Sequence, residues 1–454
     1  MKHFFTVLLL IILSAPVMAS SDTLFGAQKV VLDNGLQIIA IPNNKAPVVS
    51  HMVWYQVGAA DEPNGQSGIA HYMEHLMFKG SAGLKPGEYS KTIRSLGGND
   101  NAFTSQDYTA YFSTIASKYL NTVMQMEAGR MKALKVPDDE AASELKVVLE
   151  ERRQRLENNP AALLQTDMQA ALYPNHPYGT PIIGWKPDIE GLNNEKALAF
   201  FNTHYAPNNA ILVVAGDIEM DMLESMAKKY FGDVEERDVP ERFVVRKAEP
   251  MPAKKTLALE HELVKQPAYY RSYRVPSWID DKQTALALDV LQELLDGGSD
   301  TPLYQDLVVE QKKSSGASLN YSFQSLGPSE VTIAAYPTEG VSLEELSAAI
   351  DTFIKKYDEK EWSADEIKAA VTKIQDSMVF LRDSVTGPAM IVGRALSSGM
   401  SLNDIETYTQ QLETVTPDML NAAVDQWLSS ETNYVEGYLK PAPSPDKKQE
   451  GNDA

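Results

Sequence analysis

Two imidazoles and a carboxylate stand together in the stretch SGIAHYMEHLMFKGS: His71, Glu74 and His75. On a helix, residues four apart lie one turn above each other, so the two histidines can share one cation while Glu74 stands beside them, free to carry a proton. Hydrolytic zinc chemistry asks for this set: neutral nitrogen ligands, an open coordination position for water, and a carboxylate to take the water's proton. The order His-x-x-Glu-His inverts the commoner His-Glu-x-x-His. The blander reading is an amphipathic helix in which Tyr72, Met73, Leu76 and Met77 pack and the histidines are polar neighbours. The chain holds only seven histidines, and two of them at ligand spacing favour the metal.

A third ligand has to come from elsewhere. The stretch PDDEAASELKVVLEERRQRLENN, beginning at Pro137, reads as a charged helix on which Glu144 and Glu151, seven residues apart, share a face. Alone, that acidic face would be read as solvated. Beside the His pair, Glu151 becomes the leading third ligand and Glu144 a group that orients the site, while Glu150 points away.

These groups need a scaffold. VLDNGLQIIAIP reads as a hairpin around Asn34 and Gly35, and VVSHMVWYQV as the next strand, with His51 a packed or edge side chain. The polar loop over 61–68 leads into the His helix and lacks the spacing and lysine of a phosphate loop. A helical segment over 88–96 ends at Gly97 and Gly98. NDNAFTSQDYTAYFSTI then reads as a strand whose Asn101, Ala102, Phe103 and Thr104 form either an ordinary internal run or an exposed edge that pairs with an extended peptide. His176, in a Pro-flanked loop, and His204, at a helix-to-strand junction, read as structural.

ILVVAGDI reads as a buried strand and MDMLESMAKKYFGDV as the helix after it, and a Pro- and charge-rich linker over 241–255 follows. A second cycle then begins, with strands KKTLALEHEL and PAYYRSYRVP, helix DDKQTALALDVLQELL, a glycine turn, strands SGASLNYSFQSLG and SEVTIAAYPTE, and helices over 343–356, 363–381, 389–398 and 416–427. Its first helix offers Asp280, Asp281 and Glu293 but no histidine pair. The pattern is a duplication with one metal-binding half over 20–240 and one supporting half over 256–440. Residues 441–454 are too polar for a core, and 1–19 read as an export signal, with Lys2, an apolar run over 4–13, and the small residues Val17 and Ala19 before the cut. The signal's apolar run is too short for a membrane span.

Composition narrows the function. Against 41 Lys plus Arg stand 62 Asp plus Glu, and the net charge of -21 argues against nucleic acid as a partner. The absence of cysteine removes disulfides and thiol catalysis.

The chain resembles the pitrilysin, insulin-degrading enzyme and mitochondrial processing peptidase family. The resemblance rests on the inverted motif, on Glu151 standing 76 residues after His75, on Gly97, Gly98, Asn101, Ala102 and Thr104, and on HPYGTPIIG and YAPNNAILVVAGD. It implies an α+β fold of two similar domains, each a mainly antiparallel sheet with packed helices, facing each other around a cleft. It further implies Zn2+ held by His71, His75 and Glu151, Glu74 and Glu144 as the catalytic carboxylates, and a peptide or unfolded polypeptide laid along Asn101–Thr104. The family's Arg and Tyr pair in the second half is replaced by Val309 and Gly316, with Tyr321 and Tyr336 nearby. That departure points to a homologous noncatalytic subunit that supplies the pair. The competing expectation is a noncatalytic scaffold. The resemblance and the export signal together imply the periplasm of a Gram-negative bacterium.

Overall fold

The computed structural model describes residues 23–81, 83–242, 251–429 and 431–443. The segment expected to be an export signal, most of the expected polar tail and the middle of the expected linker lie outside the described residues.

The first half runs β1 (Gln28–Val31), β2 (Gln37–Pro42), β3 (Val48–Tyr55), α1 (Ile69–Leu76), α2 (Glu88–Ser95), β4 (Asn99–Thr104), β5 (Thr109–Ala116), α3 (Leu120–Lys132), α4 (Asp138–Arg152), α5 (Pro160–Leu172), α6 (Lys186–Glu190), α7 (Asn194–His204), β6 (Ala210–Gly216) and α8 (Met220–Phe231). The second runs β7 (Lys255–His261), β8 (Ala268–Val275), α9 (Lys282–Asp296), α10 (Pro302–Tyr304), β9 (Ser314–Tyr321), β10 (Ser329–Pro337), α11 (Leu343–Asp358), α12 (Ala364–Asp383), α13 (Gly387–Ser397), α14 (Leu402–Glu406), α15 (Tyr408–Leu412), α16 (Pro417–Trp427) and β11 (Val435–Pro441).

The two sheets share one topology. The first has the order β1-β2-β6-β3-β5-β4 and the second β7-β11-β8-β10-β9. In each, the last strand of the half inserts parallel to an early one, β6 against β2 and β11 against β7, and every other pairing is antiparallel. The duplication expected from the order of elements is thus present strand for strand, with β1 as an addition to the first half. One expectation changes in detail. NDNAFTSQDYTAYFSTI forms two strands, because SQDY supplies a polar turn between β4 and β5. The strand after the first hairpin, β3, lies beyond β6, which is inserted between β2 and β3.

One face of each sheet is covered by helices of its own half, as the alternation of buried residues along the strands requires. The other face is covered by a helix from the opposite half. Leu164, Met168 and Leu172 of α5 pack on Ala268, Tyr270, Val435 and Leu439 of the second sheet. Val392 and Leu396 of α13 share a core with Met52, Trp54, Ile211 and Val213 of the first. Close approach depends on glycine on both sides: a Cβ at Gly393 of α13 would fall 2.1 Å from the Trp54 indole, and one at Gly437 of β11 would fall 2.3 Å from Met168 Sδ. A buried polar strut adds to this exchange. Tyr178 donates to Asp107 at 2.7 Å, and the backbone N–H groups of Leu326 and Gly327 donate to Asp107 and to the Tyr178 oxygen.

Candidate metal centre

The helix that carries the motif is short, and its start is built from outside. Gly68 precedes it with φ of 89°, in the left-handed region, and offers no side-chain cap. Glu62 supplies the cap instead, its carboxylate accepting from the N–H groups of Gly68 and Ala70, each at 2.9 Å. Gly68 also lies against Gly184, so that a Cβ at either would strike the other's loop at 2.5–2.6 Å. This explains the IIG of HPYGTPIIG as a packing requirement of the metal helix. Ile69, Ala70, Tyr72, Met73 and Leu76 are buried, and Tyr72 donates to the Ala141 carbonyl at 2.7 Å, tying α1 to α4.

This docking brings the separated sequence candidates together. His71, His75 and Glu151 each offer one atom to a cluster in which all lie within 4.8 Å of one another. Glu151 Oε2 stands 3.2 Å from His75 Nε2 and 3.7 Å from His71 Nε2. Tetrahedral zinc with bonds near 2.0–2.1 Å separates its ligand atoms by about 3.3 Å, so these donors fit the ion in number, type and spacing. Burial drives the His71 pKa down to about 3, which keeps that ring neutral, as a ligand must be. On His75 burial also opposes the charge, but Glu144, Glu74 and Glu151 outweigh it and raise the pKa.

Glu144 acts through another residue. It accepts from His75 Nδ1 at 2.8 Å, which turns Nε2 toward Glu151, and it pairs with Lys79 at 2.6 Å. Burial resists its charge, yet His75 and Lys79 lower its pKa. Glu144, expected with Glu74 as a catalytic carboxylate, thus touches His75 and Lys79 and stands in the place of a positioning residue. Glu74 belongs to none of these pairs. It accepts from Thr104 Oγ1 at 2.6 Å, and burial raises its pKa against that hydrogen bond.

Thr104 closes β4, which is an edge of the sheet and pairs only with β5. The four edge residues divide by strand alternation. Ala102 and Thr104 face the metal helix side, whereas Phe103 turns to the opposite face and packs edge-on against Trp54 at 5.4 Å. The Phe103 ring thus lies on the face away from the metal helix, and its backbone pairs with Ala110 of β5. Asn101 is exposed, and its carboxamide oxygen accepts from the Ala102 N–H, which leaves that N–H outside the ladder.

His51, His176 and His204 stand apart from the cluster. His51 is buried in β3. His176 accepts from the Tyr178 N–H between the rings of Tyr173 and Tyr178, and His204 ends α7 against Phe200. Glu150 is held by Arg153 on the exposed side of α4. Three contributors escaped the sequence reading: Glu62, Lys79 and Arg155. Lys79 and Arg155 stand four residues after His75 and Glu151, a spacing visible in the chain, while nothing local announces Glu62 as a helix cap. In the second half, Val309 is exposed, Gly316 lies on edge strand β9 opposite Tyr336, and Tyr321 is committed to the Pro276 carbonyl at 2.8 Å. A cavity of about 970 Å3 bordered by Glu62, Trp185, His204 and Arg242 touches none of the three ligands, nor Glu74 or Thr104.

Comparison with known proteins bears on the same regions. Residues 38–186 match the family model described as insulinase, peptidase family M16, and residues 191–374 match that of the peptidase M16 inactive domain. Zinc protease PqqE of Helicobacter pylori is 30% identical over 457 residues, covering 97% of this chain and 100% of that protein. The chain belongs to peptidase family M16. Another relative, the uncharacterized zinc protease YmxG of Bacillus subtilis, is 25% identical over 77% of this chain and 83% of its own. A crystal structure of a protease from Helicobacter pylori superposes with a TM-score of 0.84 at 28% identity, over 91% of this chain and 99% of that one. The periplasmic protease PqqL from Escherichia coli shares the fold at 16% identity with a TM-score of 0.76. There, 92% of this chain corresponds to 49% of the longer one. The M16 fold of two α+β domains is accordingly the fold of this chain.

Proposed function

We propose that the chain is a zinc-dependent endopeptidase acting on peptides or unfolded polypeptide segments, together with a homologous partner. One observation carries the reading: Glu74, the residue before His75 of the His71–His75–Glu151 cluster, accepts from Thr104 on an edge strand of the sheet. Zinc held by the three ligands supplies Lewis-acid polarisation of a carbonyl and a more acidic water. The chain's own residues do the rest. An extended peptide pairs with the β4 backbone, which presents its carbonyls in register with the cluster. Glu74 takes the proton of the attacking water and returns it to the leaving amine. Glu144 and Lys79 hold His75 in one tautomer throughout.

Val309 and Gly316 support the need for a partner that brings a donor pair, and so does a longer relative whose fold contains this one as half. The export signal supports a periplasmic place of action. The scaffold reading rests on the same missing pair, but it leaves the intact set of His71, Glu74, His75, Glu144 and Glu151 without purpose.

The test is hydrolysis of a mixed pool of unstructured peptides by the zinc-loaded mature chain, alone and with fractions of the source extract, against Glu74→Gln. Cleavage that needs a fraction supports the partner. Cleavage by the chain alone removes it. A zinc-bound chain silent under both conditions refutes the peptidase reading.

A further inference from the structure

Three arginines follow the third ligand at the end of α4, and their fates differ. Arg152 is buried and donates to the Gly184 carbonyl and to Glu157. Arg153 is paired with Glu150 on the outer face. Arg155, in the π turn Arg153–Glu157, swings to the opposite side and touches Glu151 Oε1 at 2.5 Å, the oxygen turned away from the two histidines. Its side chain remains 66% exposed there, so most of its five N–H donors face solvent at the mouth of the cluster. Its charge is felt at both His71 and Glu74.

We propose that Arg155 contacts substrate, donating to the oxygen of the scissile carbonyl and stabilising the negative charge that develops on it. The assignment rests on the peptidase reading and adds to it, from the first domain, the cationic donor that Val309 does not supply in the second. A guanidinium suits the task because it stays protonated and can keep one N–H on Glu151 while another meets the oxygen. The chemistry balances without it changing state. Water adds to the carbonyl carbon, the C–N bond breaks, the proton taken by Glu74 goes to the leaving nitrogen, and Arg155 only donates hydrogen bonds.

The experiment compares two ligands on the zinc-loaded chain: an unstructured peptide, and the same sequence with a phosphinic group, a tetrahedral anion, in place of one peptide bond. Arg155→Ala is expected to weaken the phosphinic peptide about 100-fold, the scale of one lost oxyanion donor. The plain peptide should change by less than about threefold, and zinc content and resistance to a chelator should stay unaltered. Arg155→Lys should recover part of the difference. Equal weakening of both ligands, loss of zinc, or no change in either ligand would overturn the proposal, and loss of zinc would recast Arg155 as a positioning residue for Glu151. Hydrolysis is read separately. A chain that binds the phosphinic peptide through Arg155 yet cleaves nothing, with or without fractions, sinks the peptidase reading alone, whereas a chain that binds neither ligand, with or without fractions, sinks both.

Discussion

The two halves use one strand order for different ends, and their first helices show how. In the second half α9 runs for 15 residues, is capped by its own Asp281, and buries Ala285, Leu286, Leu288, Val290, Leu291 and Leu295. Its counterpart α1 has eight residues, no cap of its own, and one face given over to His71, Glu74 and His75. A helix of two turns is marginal by itself. It persists because Glu62 caps it, Gly68 and Gly184 let the loops meet, and Tyr72 and Met73 anchor it from behind. The metal site is therefore an addition to a fold that stands without it, and the second half shows the same fold with that helix given over to packing.

The sharpest break in this contrast is chemical. Glu74→Gln is expected to lower peptide hydrolysis by about 10³-fold while zinc stays bound, the range of a lost general base. Glu293→Gln on α9 should leave zinc content unchanged. Hydrolysis rates with metal analysis on the same preparations check both. Glu144→Gln comes next, with a loss of zinc affinity of about 10–100-fold, read by chelator competition, because its hydrogen bond orients His75 without touching the ion.

Acid should act on the halves with opposite sign. In β3, burial drives the His51 pKa down to about 4. Between about pH 6.5 and about 4 the unfolded chain binds a proton that the native state refuses, so stability falls as the pH falls through that window. In α9, burial lifts Asp289 to about 6, although Tyr408 donates to it. Here the native state keeps a proton that the unfolded chain releases, so stability rises as the pH falls from about 6 toward about 4 and is lost above that window. Each effect amounts to about 3 kcal/mol at 1.36 kcal/mol per pH unit. Urea unfolding from pH 4 to pH 8 should show a shallower acid decline in His51→Leu and a steeper one in Asp289→Asn.

The smallest effects concern the exchanged helices. Gly393→Ala puts a methyl into the rigid Trp54 ring and should cost about 1–3 kcal/mol, as overpacked cores do. Gly437→Ala meets the end of a flexible methionine and should cost less. Thermal unfolding of the two variants orders them. Equal losses would mean that the two crossings are packed alike.

Some of this was legible in the chain because it is periodic or local. The spacing of His71 and His75 on one turn, of Glu144 and Glu151 on one face, and the repeated order of strands and helices are all properties of short segments. The strand alternation of β4 was equally local, yet which face met the metal was not, and so Phe103 counted among substrate contacts although its ring packs on Trp54. Glu62 carries no signal and Gly184 only its place in HPYGTPIIG, because a cap and a close approach are defined by partners distant in the chain.

The order of residues by itself determined which groups are available: the two imidazoles and the carboxylate of α1, and the carboxylates and guanidinium that follow at helical spacing from Glu144 to Arg155. Tertiary structure alone decided that these segments meet. The carboxylate of α4 reaches the histidines of α1 because a buried tyrosine joins the helices, and Thr104 reaches Glu74 because the insertion of β6 and the β4–β5 turn leave β4 at the edge. Ligand geometry is a matter of a few ångströms between residues some 76 apart in sequence, and only packing of the whole first half sets distances on that scale.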